Sequence, residues 1–149
     1  MADLDPLIRL YQKRVDDKQR VLADLYREVE ILETLKSNII DEIESETKVI
    51  ESMEGMAALD TQSYFGAYLQ AMQKKIAVVD DGLKQIERRV NLAREDVRRG
   101  FAELKKVEIT AESRAAEEGR KQAKKESDLM DEIGLDAFRR AQDADSEDE

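Results

Sequence analysis

Two long stretches of this chain keep an unbroken alternation of three- and four-residue steps between apolar positions, over residues 4–53 and 69–111. A straight α-helix turns every 3.6 residues, so a stripe that repeats every 3.5 residues stays in one interface only when two helices supercoil. Such a stripe is the a/d seam of a left-handed coiled coil. The sequence therefore predicts two long helices that pack along continuous seams.

The two seams are almost entirely apolar, with twelve of fifteen positions in the first and twelve of thirteen in the second. The first seam consists of Leu4, Ile8, Tyr11, Val15, Lys18, Leu22, Leu25, Val29, Leu32, Lys36, Ile39, Ile43, Glu46, Ile50 and Met53. The second consists of Leu69, Met72, Ile76, Val79, Leu83, Ile86, Val90, Ala93, Val97, Gly100, Leu104, Val107 and Ala111. The three polar members, Lys18, Lys36 and Glu46, either set the register or loosen the pair for motion or partner exchange.

The short segment between the seams predicts a hairpin. Gly55 is the residue type that commonly follows a helix C-terminus, and Asp60 or Thr61 could cap the next helix. The predicted division of the hairpin is an arm over 4–54, a turn over 55–61 and an arm over 62–140.

A turn centred between residues 57 and 58 sets the register of the two arms. Antiparallel partners then have residue numbers that sum to about 115, which brings Ile43 to Met72 and Val15 to Gly100. A slip of one heptad, with a sum near 122, remains open on the sequence alone. The choice between a monomeric hairpin and a head-to-tail dimer also remains open.

The composition fits a two-helix rod better than a globule. Of the 149 residues 40% are charged, only 5% are aromatic and none is Trp, and a helix pair needs only a narrow apolar seam. The predicted fold class is all-α, a long antiparallel two-helix coiled-coil hairpin with a C-terminal helical extension. Residues 1–140 form one predicted domain, and the acidic residues 141–149 are predicted to be a disordered tail.

Residues able to carry enzyme chemistry are scarce. The chain has no His and no Cys, and it has neither a Gly-rich phosphate loop nor a recognisable nucleophile motif. We therefore predict no enzyme activity and no catalytic residue, cofactor or metal site. The net charge of −10 argues against nucleic-acid binding, and without a long apolar run we expect a cytoplasmic protein that does not insert into the membrane.

Three surface features allow two interpretations each. Three of the seven aromatic residues, Tyr64, Phe65 and Tyr68, lie beside the turn, and Tyr64 and Tyr68 fall off the seam, so they form either a packed tip or a contact site. A weaker stripe either widens the core or forms a groove for another helix; it consists of Leu7, Val21, Leu35 and Val49, with Ile40 nearby. A basic group either pairs with neighbouring acids or docks onto an acidic protein; it consists of Arg88, Arg89, Arg94, Arg98 and Arg99.

Four segments together resemble one protein family. They are LIRLYQKRVDDKQRVLADL (7–25), YFGAYLQAMQKKI (64–76), ELKKVEITAESRAAEE (103–118) and KKESDLMDEIGLDAFRR (124–140). The order Lys-Lys-x-Glu, then Arg, then Asp-Glu near the end is the most telling feature. In these segments the chain resembles the FliJ family of flagellar type III export proteins, whose injectisome counterparts are the YscO-like stalks.

This resemblance implies a stalk at the cytoplasmic face of the flagellar base, peripheral to the inner membrane and needed for motility and chemotaxis. Its helix ends would enter the pore of the hexameric export ATPase, its tip would reach the membrane export-gate protein, and it would escort export chaperones. The residues expected to contact the gate are Tyr64, Phe65, Tyr68 and Met72. The residues expected to contact the ATPase are Arg94, Arg98, Arg99 and Arg114.

Other functions fit a helical hairpin as well. A generic structural tether or dimerisation module needs nothing beyond the seams. A prefoldin-type holdase would need strand segments for its oligomer, and the sequence offers none. An RNA-binding coiled-coil arm is the least favoured, because the chain is acidic.

Overall fold

The structure is a computed structural model that describes residues 3–53 and 55–147, with the backbone alone at residues 56–58. It contains two helices, α1 (Asp5–Glu51) and α2 (Met56–Glu147), and no strand within the described residues. The all-α prediction is therefore confirmed. None of the described helical segments combines the length and the apolar character needed to cross a membrane.

α1 begins with a side-chain cap. Asp3 Oδ1 accepts a hydrogen bond from the backbone N–H of Asp5 at 3.0 Å, which satisfies one of the donors that a helix N-terminus leaves free. Pro6 follows within the first turn, where its missing N–H has no consequence.

α1 ends earlier than its sequence suggests. Its last turn tightens, because Met53 N donates a hydrogen bond to Ile50 O at 3.1 Å. The Ser52 hydroxyl donates a second hydrogen bond to the Val49 carbonyl at 2.6 Å. The chain therefore leaves the helix after Glu51, before Gly55 is reached. The predicted end of the first arm at residue 54 lies outside the described residues.

Gly55 lies directly before the start of α2 and not directly after the end of α1. Its φ of +88° is a conformation that glycine adopts with little strain, and α2 begins at the next residue. Residues 56–59 (MAAL) are mostly good helix formers, so they extend α2 backwards through most of the predicted turn. Asp60 and Thr61 consequently lie inside α2, and the predicted turn over 55–61 and their capping role are wrong.

The chain forms two compact units. The hairpin unit comprises Leu10–Ala102, and the terminal unit comprises the described residues of Met1–Arg9 and Glu103–Glu149. In the hairpin unit α1 and α2 run antiparallel. Three pairs of residues give the register. A methyl group placed on Gly100 would lie 3.3 Å from Val15 Cγ2, and one placed on Gly82 would lie 3.4 Å from Leu32 Cδ1. Lys36 Nζ lies 2.8 Å from Asp80 Oδ1, and the residue numbers of the three pairs sum to 115, 114 and 116. The predicted register is confirmed, and the register slipped by one heptad is wrong.

The core of the hairpin unit lies along the predicted seams. The buried apolar residues are Val15, Leu25, Ile39, Met72, Val79, Ile86, Val90 and Ala93, and each is a seam position. All of them except Val15 belong to two clusters, which share Leu32 as a packing neighbour, and the cluster with Met72 also contacts Ile43 as expected. Burial of these apolar side chains is the main contribution to the stability of the hairpin unit.

The terminal unit contains a short continuation of the seam and a solvated helix. Leu4, Ile8, Leu104, Val107 and Ala111 are half-buried, whereas every described residue from 112 to 147 is exposed. The predicted C-terminal helical extension is confirmed.

Residues 141–147 belong to this extension, although the sequence assigns them to a disordered tail. α2 runs to Glu147, because Ala141, Gln142 and Ala144 favour helix between the acids. Residues 148 and 149 of the predicted tail lie outside the described residues.

Candidate functional site

The aromatic group near the turn splits into exposed and packed members. Tyr64 is 79% exposed, whereas Phe65 and Tyr68 are half-buried with ring centroids 5.9 Å apart, and Met72 is a core residue. We call these four residues the tip site. The expectation that both tyrosines lie off the helix interface is correct for Tyr64 and wrong for Tyr68.

Tyr68 is inward because the interface drifts toward the turn. In α2 Thr61, Phe65, Tyr68, Leu69 and Met72 are buried or half-buried, and in α1 Thr47 is half-buried whereas the seam residue Glu46 is exposed. Tyr68 therefore joins the interface beside the seam residue Leu69, as expected where the interface drifts because helices straighten from 3.5 toward 3.6 residues per turn. A strict heptad count misses this drift.

The hydroxyl of Tyr68 lies in an unusual place for a polar group. It is enclosed and lacks a well-formed hydrogen bond within the described residues. Burial raises the pKa of Tyr68, and the nearby carboxylates of Glu42 and Glu46 raise it further, together with a weak hydrogen bond from the hydroxyl to Glu42, because all of these disfavour a phenolate. The hydroxyl of Tyr68 therefore faces the acids of α1 instead of solvent.

The polar seam residues behave differently from one another. Lys36 reaches out of the interface to Asp80 on α2, with Nζ 2.8 Å from the carboxylate. The aliphatic part of Lys18 packs over Gly100, where the lack of a side chain makes room for it. Glu46 is exposed. These positions favour the interpretation that the lysines snorkel and fix the register.

We define the basic surface as Arg88, Arg89, Arg94, Arg98 and Arg99 on α2. Two of its members pair with acids: Arg89 lies 3.8 Å from Glu28 across the hairpin and Arg98 lies 3.7 Å from Glu95 on its own helix. Both pairs are exposed and contribute little to stability.

Arg94 is the best-ordered member of the basic surface. Its Nε donates to the hydroxyl of Tyr26 at 2.7 Å, and its guanidinium lies 5.6 Å from the centroid of the same ring. This hydrogen bond and cation–π contact hold Arg94 in one place across the two helices. The sequence analysis did not single out Tyr26; its position beside the seam residue Leu25 is the signal that could have indicated a cross-helix contact.

Arg88 and Arg99 form no ion pair or hydrogen bond with the described residues. The two interpretations of the basic group therefore apply to different residues. Arg89 and Arg98 pair with neighbouring acids, whereas Arg88 and Arg99 keep their donors for water or for a partner. Leu92, between them in the chain, is 69% exposed and was also not singled out by the sequence analysis.

Arg114 belongs to the terminal unit. It lines a shallow groove there with Leu4, Ala111 and the carboxylates of Asp3 and Asp5, without forming an ion pair within the described residues. Farther along the extension, five large apolar side chains are each more than half exposed: Leu129, Met130, Ile133, Leu135 and Phe138.

Most of the chain matches one protein family. The family described as flagellar FliJ protein matches residues 1–143. No curated protein matches the chain.

Proposed function

The chain belongs to the FliJ family of flagellar proteins, and we propose that it is a stalk that links the hexameric flagellar export ATPase to the membrane export gate. It contacts the ATPase through the basic surface and the gate through the tip site. It also escorts export chaperones and works at the cytoplasmic face of the flagellar base. Its role is one of binding and linking, without a reaction of its own.

The observation that carries this proposal is the family match over residues 1–143. The hairpin unit supports it, since a narrow apolar core holds the two helices together and its surfaces for partners lie at different levels of the helix pair. Tyr64 and Arg99 are 35 residues apart on α2, which corresponds to about 50 Å of helix. Two partners could therefore bind the hairpin unit without competing for the same residues.

The tip site supports contact with the gate through Tyr64. An exposed aromatic ring backed by a packed pair, Phe65 and Tyr68, can enter a partner pocket with little loss of side-chain freedom. Met72 supports this site from the core, where only 7% of its surface is exposed.

The arginines support contact with the ATPase through charge. Arg94 is positioned by its hydrogen bond to Tyr26, and Arg99 has no ion pair among the described residues. Arg98 can exchange its exposed ion pair with Glu95 for one with a partner. In the terminal unit, Arg114 offers a further unpaired cation. Contacts of this kind speed association and weaken as salt rises.

The proposal is tested by titrating the purified chain against the ATPase hexamer and, separately, against the cytoplasmic part of the gate protein. The base variant is Arg98→Gln/Arg99→Gln and the tip variant is Tyr64→Ala. We expect the base variant to lose ATPase affinity at least tenfold and the tip variant to lose gate affinity by a similar factor. Lys74→Gln/Lys75→Gln removes the same charge elsewhere on α2 and should leave ATPase binding unchanged.

Each outcome has a meaning. If the tip variant lost the ATPase and the base variant lost the gate, the assigned orientation would be reversed. A wild-type chain that bound neither protein would favour a generic tether over an export stalk. Chaperone escort is tested in the same way, with a purified export chaperone as the third ligand.

A further inference from the structure

Leu92 is a large apolar side chain exposed to water within a basic stretch of α2. It is 69% exposed, although its neighbours Val90 and Ala93 are 6% and 7% exposed in the core. Residues 84–106 around it contain eight bases and four acids. Most of the Leu92 side chain therefore lies outside the packing of the hairpin unit.

Helix geometry places unpaired arginines around Leu92. Arg88 lies four residues before it and Arg99 seven residues after it, so both share its face of α2. Neither forms an ion pair or a hydrogen bond with the described residues. Acids share this face as well: Glu95 and Asp96 lie three and four residues after Leu92, and Glu95 pairs with Arg98. Leu92 is therefore flanked by both charges, with the arginines in excess.

We propose that Leu92 is the apolar anchor of the basic surface, and that it enters an apolar pocket bordered by carboxylates on the export ATPase. This inference rests on the proposed function for its partner. The charge of the surface argues for an acidic border, because Arg88 and Arg99 would then be paired in the complex. The leucine argues for a pocket, since a purely electrostatic contact would not need it.

The arginines and Leu92 contribute to binding in different ways. The arginines speed encounter and orient the partner, and their contribution falls as salt screens it. Leu92 is desolvated on binding, and the burial of its apolar surface lowers the dissociation rate of the complex independently of salt. Removal of the leucine and removal of a charge therefore have different signatures.

The experiment is a titration of the ATPase hexamer with full-length variants at low and high salt. The test variant is Leu92→Gln, which removes the apolar surface but keeps a good helix former. Leu59→Gln is the matched control, because Leu59 is also on α2, is equally exposed at 69%, and lies far from the basic surface. Arg99→Gln reports on charge, and Leu92→Met keeps the apolar character.

We expect Leu92→Gln to weaken binding about tenfold at both salt concentrations, with an unchanged salt dependence. Arg99→Gln should weaken binding at low salt and make the salt dependence shallower. Leu59→Gln and Leu92→Met should bind nearly as well as the wild type. All four variants should keep the helical circular dichroism of the wild type, because both leucines are exposed.

Three results would overturn the inference, and they can be told apart. If Leu92→Gln binds like Leu59→Gln while the wild type binds the ATPase, the anchor is wrong and the proposed function stands. If the wild type does not bind the ATPase at all, both fail. Equal loss for Leu92→Met and Leu92→Gln would also reject an apolar pocket, because methionine keeps the apolar character.

Discussion

Tyr68 shows how a single residue can contribute to stability with one part and oppose it with another. Its ring packs against the core cluster of Ile39, Met72 and Val79, while its hydroxyl is enclosed without a well-formed hydrogen bond. Ring burial is favourable, whereas an enclosed hydroxyl loses its hydration without full compensation. The two effects can be separated by substitution.

Tyr68→Phe should keep or raise the thermal midpoint of unfolding, because it keeps the ring and removes the enclosed hydroxyl. Tyr68→Ala should lower the midpoint by several degrees, because it removes the ring from the cluster. Tyr64→Ala should leave it unchanged, since that side chain is 79% exposed. Thermal melts followed by circular dichroism measure all three, and a lower midpoint for Tyr68→Phe would show that the hydroxyl is well bonded.

The raised pKa of Tyr68 predicts a loss of stability in alkali. Above the ordinary value of 10.0 the unfolded chain gives up the phenol proton, whereas the folded chain keeps it because burial and the carboxylates of Glu42 and Glu46 raise the pKa. The folded state then binds more protons than the unfolded state, so stability falls as pH rises through this range. Urea midpoints at about pH 9 and about pH 11 should differ less in Tyr68→Phe than in the wild type.

Two glycines of α2 should respond differently to a methyl group. At Gly66 nothing lies within 4 Å of the new atom, so Gly66→Ala should raise the free energy of unfolding by about 0.5–1 kcal/mol. At Gly100 the new atom meets Val15 Cγ2 and Lys18 Cδ at 3.3 Å, and Val15 is buried and stiff. Gly100→Ala should therefore gain clearly less or lose stability. Equal gains in urea unfolding would mean that the helix pair opens there without cost.

At the level of the helices, the periodicity of the sequence predicted which faces pack together. It did not predict features that depend on local geometry, such as the end of α1. The seams follow from the repeat and the register from the position of the segment between them, whereas the repeat alone leaves a slip of one heptad open. The end of α1 follows from neither, since it depends on which carbonyl Ser52 and Met53 reach. The contact of Arg94 with Tyr26 is equally hidden in the sequence, because exposed side chains have many conformations.

The helical extension should be dispensable for the stability of the hairpin unit. Every described residue from 112 to 147 is exposed, so a chain that stops after Glu118 loses no buried side chain. We expect its helical signal to fall with the number of residues removed and its thermal midpoint to stay within about 2 °C of the wild type. A large drop in the midpoint would show that the exposed apolar residues from Leu129 to Phe138 pack in solution.

For the whole molecule, the uneven charge separates the two proposed contacts. Residues 24–60 hold eleven acids and three bases, a net of −8, whereas residues 84–106 hold eight bases and four acids, a net of +4. An acidic partner is attracted to the basic surface and repelled from the acidic part of α1. Charge alone therefore sets the direction in which a two-ended link would be inserted.

A link with two ends has a genetic signature that a one-sided binder lacks. A variant that keeps one end and loses the other still occupies one partner, so it should block the wild type when overproduced. The tip variant Tyr64→Ala would occupy the ATPase, and the base variant Arg98→Gln/Arg99→Gln would occupy the gate. A chain that carries both sets of substitutions would occupy neither.

We therefore expect each single-end variant, overproduced in motile cells, to reduce swimming and export, and the double-end variant to be harmless. Swimming halos and secreted flagellin at matched protein levels measure the effect, with Lys74→Gln/Lys75→Gln as the charge-matched control. Inhibition by the double-end variant as strong as by either single one would contradict the two-ended link, because residues outside both ends would then hold the partners. If neither single-end variant inhibited although each retained one partner in vitro, occupancy of one end would not limit export, and the hairpin would act as an escort that exchanges freely.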